Sequence, residues 1–161
     1  MSKIIDILKN RNYTFIDQND QYILMKDNNN KNILIFNLNS SLTINVIKII
    51  LKCMIENDFD HSIVVYDGKI TPSSNKIIKN TDLTIELFTR NEMSINIFNH
   101  KYYFPHIKVD ETTKQLLLAK YGTKLPIILK SDPVIRYLNY KKGDIVKIIR
   151  KNNYITYRLV K

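Results

Sequence analysis

The stretch His61-Ser-Ile-Val-Val-Tyr66 constrains this chain more than any other. Its apolar run is short and follows a polar, helix-patterned segment, which marks a strand buried on both faces of a sheet. Before it lies SLTINVIKIILKCMIEND, where Ile44, Ile47, Ile50, Leu51 and Met54 share one helical stripe and Thr43 stands near the start. After it come a turn at Asp67-Gly68-Lys69 and the segment TPSSNKIIKN. There Thr71 or Ser73 can cap a short helix, and Pro72 is tolerated in its first turn. A two-sided strand flanked by helices predicts an α/β layer.

The neighbouring segments extend that layer. Ile4, Ile5, Ile7 and Leu8 recur at helical spacing. Tyr22–Met25 and Ile33–Leu38 read as strands around the Asn-rich turn KDNNNKN, and LTIELF and SINIF read as two further strands. The first hundred residues thus run helix, strand pair, helix, strand, helix, strand pair.

Charge divides the chain. Residues 1–99 carry 11 Lys+Arg against 11 Asp+Glu, whereas residues 100–161 carry 14 against 4, so the whole excess of +10 lies in the final third. The asymmetry predicts two domains, 1–99 and 100–161, the second facing an acidic partner such as nucleic acid, anionic lipid or protein. With 161 residues, 44% of them hydrophobic, the chain can build one sizeable core or two small ones. No apolar run is long enough to span a bilayer, and no secretory signal is expected in Met1–Arg11. Cys53, the only cysteine, excludes an internal disulfide; it falls in a helical apolar stripe and is expected to be buried.

The basic third is folded by pattern. DETTKQLLLAKYG reads as a helix capped by Asp110 and stopped at Gly122, and LPIIL as extended chain. SDPVIRYL starts another helix, with Asp132 as cap and Pro133 as first helical residue. IVKII and YITYRLV then form a hairpin around RKNN. The fold class is therefore α/β (α+β): a mixed-sheet N-terminal domain and a small C-terminal α/β domain ending in a β-hairpin.

Two stretches, LPIILKSDPVIRYLNYKKGDIVKIIR and YITYRLV, carry a family likeness. They resemble the shared fifth subunit of eukaryotic RNA polymerases I, II and III, whose C-terminal domain by itself makes up the corresponding archaeal polymerase subunit. TPSSNKII resembles the family's Thr-Pro-Ser-Ala motif, with Ser74 in place of the Ala, and LKNRNYTFI its first helix and following strand. His100 and His106 match a His pair at the domain junction. The extra N-terminal domain points to a eukaryotic or large-DNA-virus version. The closing turn RKNNY is shorter than the family's, and so is the region between Tyr22 and Leu38.

The resemblance implies a non-catalytic subunit of a DNA-directed RNA polymerase. Its N-terminal domain would be jaw-like, beside downstream duplex DNA, which Thr71, Pro72, Ser73, Ser74 and Lys76 would approach without reading sequence. Its C-terminal domain would be an assembly module docked on the largest subunit, among other polymerase subunits. The candidate docking residues are Asp132, Pro133, Arg136, Tyr137, Lys147, Arg150, Tyr154, Tyr157 and Arg158, since Tyr beside Arg suits interface cores. Arg158 is expected to face the partner, and Tyr157 the core or the interface. Localisation would be nuclear for a cellular protein, and virion or cytoplasmic viral factory for a viral one. No catalytic residue, cofactor, metal or membrane partner is assigned.

Two other readings compete. The basic face (Lys141, Lys142, Lys147, Arg150, Lys151, Arg158, Lys161), interleaved with tyrosines, could make a free-standing nucleic-acid-binding module. Asp67-x-Lys69 at a strand end, with Asp58 and Asp60 before the strand, outlines a nuclease, although it lacks the expected second carboxylate motif. Asp-Gly is also an ordinary turn signal. His100 and His106 lack a third metal ligand nearby.

Overall fold

The computed structural model describes residues 2–27 and 29–161, without the side chains of Ser2, Lys3 and Thr123; Asn28, inside the Asn-rich turn, lies outside the described residues. The chain divides into two units, Met1–Asn96 and Ile97–Lys161.

The first unit runs α1 (Ser2–Lys9), β1 (Thr14–Gln18), β2 (Ile23–Lys26), β3 (Asn32–Asn37), α2 (Ile44–Glu56), β4 (His61–Tyr66), α3 (Pro72–Lys79) and β5 (Thr84–Thr89). Its five strands lie in chain order. The first two pairings are antiparallel, and β3/β4 and β4/β5 are parallel, so the sheet is mixed. Parallel neighbours require crossovers, which α2 and α3 supply. Unreversed strand order with right-handed connections puts both helices on one face. Leu34, Phe36, Val64 and Tyr66 on that face pack with Ile47, Ile50 and Met54 of α2 and with Ile77 and Ile78 of α3. The opposite face is equally dry: Ile33, Ile35, Ile63 and Val65 are fully buried, as the two-sided strand required.

The segment after α1 reaches that second face. Glu86 of β5 pairs in register with Ile63 and so points the same way. Arg11, two residues beyond α1, grips it with two hydrogen bonds of 2.9 and 3.0 Å. Ile4, Ile7 and Leu8 of α1 are buried too.

SINIF is not a strand. Single 3-10 turns occupy Glu92–Ser94 and Ile97–Asn99 instead. Glu92 Oε2 accepts hydrogen bonds from Thr89 N and Thr89 Oγ1 (2.7 and 2.9 Å), and Ser94 Oγ donates to Asn91 O (2.7 Å). These local bonds offer the backbone a turn in place of a ladder. Cys53 is only half-buried, at the edge of the α2 stripe.

The second unit contains β6 (His106–Lys108), α4 (Glu111–Tyr121), β7 (Ile127–Ile128), α5 (Pro133–Tyr137), β8 (Ile145–Ile149) and β9 (Ile155–Val160). Its sheet order is β6-β8-β9-β7, with β7 parallel to β9 and the other pairs antiparallel. Strand alternation sends Val146, Ile148 and Val160 to one face, where they form a core with Ile128 and Ile135 and are joined by Phe104 and Tyr140. The β8–β9 hairpin closes through Asn152 and Asn153, both in the left-handed region (φ 57° and 58°), which asparagine tolerates better than most residues.

Candidate functional site

In the first unit the candidate site is the junction of β4 and α3. Gly68 turns the chain with φ 79°, and a Cβ there would collide with the Ser41 hydroxyl, which accepts a 3.2 Å hydrogen bond from Lys69 N. Thr71, in extended conformation, caps α3: its Oγ1 accepts from Ser74 N at 3.3 Å. Ser74 turns inward, fully buried, and its hydroxyl shares a 2.7 Å hydrogen bond with that of Thr71. This corrects its placement among DNA-proximal groups: no phosphate can reach Ser74. Pro72, Ser73 and Lys76 are exposed, and Thr71 is half-exposed.

The nuclease outline does not assemble. Asp67 Oδ1 accepts from Gly68 N (3.1 Å) as a turn former, and its other oxygen lies 3.6 Å from Arg90 Nε. Arg90 in turn donates to Asn37 Oδ1 (3.1 Å), to Leu38 O (2.9 Å) and to Asn39 Oδ1. The guanidinium thus laces loops at the C-terminal end of the sheet. Among the described residues no cluster of three metal-ligating side chains occurs.

The second unit carries the larger candidate surface. Asp132 caps α5, accepting from Val134 N (2.9 Å) and Ile135 N (3.4 Å), and Pro133 follows at the first helical position. Both do the local work their residue types suggest. Tyr137 belongs to the interior instead: it is 3% exposed, and its ring meets Phe98 edge-on at 5.1 Å. That corrects its assignment to a docking face, because α5 is five residues long and its last turn points Tyr137 inward. Arg136 is half-buried on the same helix.

Tyr157 and Arg158 fall on opposite faces of β9. Arg158 lies opposite Val146, on the core-bearing side, and its Nη1 donates to Ile127 O at 3.2 Å. Tyr157 lies opposite Lys147, which itself lies opposite Ile107. This second face carries Ile107, Ile127 and Ile155, each more than 40% exposed, with Ile149 and Leu159 half-buried among them. Exposed Tyr154 stands beside it, and Arg150 lies 5.9 Å from the Phe104 ring centre. Sequence reasoning missed these isoleucines; strand alternation marks them, but only the register shows that they share one face and stay more than 40% exposed there, while Ile145 on the same face is fully buried.

Helix α4 adds to the exposed apolar area. Among the described residues none of its side chains is buried, and Leu116 and Leu118 face solvent. Asp110 caps it, accepting from Thr113 N (2.8 Å) and Thr113 Oγ1 (2.7 Å), and these bonds hold its carboxyl below the usual range.

The two histidines are engaged separately. His106 Nδ1 donates to Phe104 O at 2.6 Å, so the proton sits on that nitrogen. Burial pushes His106 below the ordinary imidazole range. The exposed His100 accepts at Nδ1 from Tyr102 N (3.3 Å).

Comparison with known proteins points one way. Residues 95–160 match the family described as RNA polymerase Rpb5, C-terminal domain. Two nematode proteins, both described as DNA-directed RNA polymerases I, II, and III subunit RPABC1, come from Caenorhabditis briggsae and Caenorhabditis elegans. Each is 35% identical over 130 residues, covering 75% of this chain and 62% of its own length. The chain thus spans a little under two thirds of these relatives.

Proposed function

We propose, from the match of residues 95–160 to the RNA polymerase Rpb5 C-terminal family, that this protein is a non-catalytic subunit of a DNA-directed RNA polymerase. The match over the C-terminal unit is the observation that carries the reading, and the relatives' descriptions agree with it.

On this reading the C-terminal unit is the assembly module, docked on the largest subunit. What supports this is the partly exposed face of Ile107, Ile127 and Ile155 with half-buried Tyr157, an apolar area of the kind that interface cores use. The N-terminal unit stands beside downstream duplex DNA. Its exposed helix-start residues, Pro72 and Ser73 with Lys76 one turn on, suit sequence-independent phosphate contact. Nucleotide addition belongs to other subunits, and this chain contributes position and shape. The cellular relatives favour a nuclear place of work, and neither supports the viral alternative.

The test is functional purification. Material isolated from the native source through a tag on this chain should synthesise RNA from a nicked DNA template when given all four nucleotides. A tagged chain that elutes without any polymerising activity contradicts the proposal.

A further inference from the structure

The second unit holds a groove of about 230 Å³ between the end of α4 and β9. Tyr121, Tyr154 and Tyr157 wall it, Leu125 and Pro126 also line it, and Lys124 stands at its rim. Among the described residues none of those lining it is acidic. Three further lysines neighbour residues that line it, along the chain or across the sheet. Lys120 Nζ lies 5.2 Å from the Tyr121 ring centre, Lys147 is the cross-strand partner of Tyr157, and the carbonyl of Lys151 accepts from Tyr154 N at 3.3 Å. None of these four lysines takes part in an ion pair among the described residues. The unit's own carboxylates are spent elsewhere: Asp110 and Asp132 on helix caps, Glu111 on Lys114, and Asp144 on Lys108.

We propose that this groove receives an extended acidic peptide segment of the large polymerase subunit on which the protein docks. The inference rests on the polymerase-subunit reading and adds to it the place and chemistry of the contact. Four facts favour a peptide. The volume is below the roughly 300–1,000 Å³ of small-molecule pockets and suits one or two anchoring side chains. Tyrosines give a large, amphipathic contact at low entropic cost. The unpaired lysines set the charge that the occupant must bring, and fix its direction more than its affinity. A DNA duplex seated on those lysines would leave Ile155 and the tyrosine edges uncovered, so nucleic acid fits the groove less well.

The experiment places a photo-crosslinking benzoylphenylalanine at position 154 of the full tagged chain, expressed in its native source. Tag purification first asks whether the chain co-elutes with very large polypeptides; if it does not, the polymerase reading itself falls, and this inference with it. Given co-elution, the expected product is a crosslink to a segment of a large subunit with Asp or Glu clustered around the attachment point. Its yield should fall about tenfold in the Lys124→Glu, Lys151→Glu double variant, whose exposed positions leave folding intact. A crosslink to DNA, to a second copy of this chain or to a non-acidic segment overturns the groove assignment while the subunit reading stands. So does co-elution with no crosslink, or a yield indifferent to the charge reversal.

Discussion

Arg11 and Glu86, 75 positions apart in sequence, meet in parallel hydrogen bonds of 2.9 and 3.0 Å, and His61 Nε2 approaches the same carboxylate at 2.7 Å. Less than a tenth of either charged side chain in the Arg–Glu pair is exposed. The Arg11 guanidinium also lies 5.6 Å from the Phe88 ring centre. This cluster ties the segment after α1 to the outermost strand, β5. Glu86→Ala strands a buried cation and should cost the first unit about 3–5 kcal/mol. Urea unfolding followed by circular dichroism measures the loss.

The same carboxylate sets an acid limit. Burial pushes Glu86 up, but the His61 hydrogen bond and the Arg11 charge outweigh that and leave it below the ordinary range. A depressed folded value contributes stability that is complete above the unfolded carboxyl pKa, about 4.3, and is lost as pH falls through the folded one. Melting temperature of the first unit should therefore drop below about pH 4, and Glu86→Gln should flatten that slope. An unchanged slope in the variant would show that other carboxylates govern acid unfolding.

Adjacent serines should behave oppositely. Ser73 is exposed, so Ser73→Asp should leave the melt unchanged and reduce RNA synthesis by the assembled enzyme, through repulsion of phosphate. Ser74 is buried against Thr71, so Ser74→Asp forces a larger, charged group into a buried site and should cost several kcal/mol. Thr71→Ala, which removes the cap together with the partner of the Ser74 hydroxyl, should cost about 1–2 kcal/mol. Equal transcription by wild type and Ser73→Asp at physiological salt would remove the DNA-contact role.

Two tyrosines of the second unit separate core from interface. Tyr137→Ala empties an interior site and should destabilise the unit by about 3–5 kcal/mol. Tyr157→Ala combined with Ile155→Asp alters a face that the unit leaves open, so folding should persist while incorporation into the polymerase weakens. Thermal melts and yield of co-purified large subunits, read side by side, check the contrast. Replacing Ile155→Asp by Arg158→Glu in that double variant would make a less specific probe, because Arg158 also braces Ile127 O.

Local chemistry was the legible part of this chain. Asp110, Asp132 and Thr71 cap the helices that their neighbours Glu111, Pro133 and Pro72 begin, because a cap needs only residues within one turn. The two-sided burial of Ile63–Val65 was legible for a similar reason, since its apolar run admits few alternatives. What spacing could not carry was the choice between equally patterned outcomes. Ser94–Phe98 alternates like a strand, yet Glu92 and Ser94 bind backbone groups nearby and turn it. Tyr137 and Tyr157 both sit beside an arginine, and only α5 packing and β9 register separate interior from surface. The Arg11–Glu86 pair had no local signature, because nothing near either residue announces a partner 75 positions away. The groove likewise joins Tyr121 at the end of α4 to Tyr154 of the closing hairpin, 33 positions further on.

The most direct test of the account is the composition of what the full tagged chain brings down from its native source, washed at rising salt. Docking through an apolar face predicts co-elution with two very large polypeptides, in equal molar amounts with this chain and resistant to salt that screens charge. The contrary result is a chain recovered without them that instead binds duplex DNA by itself, with affinity falling steeply as salt rises.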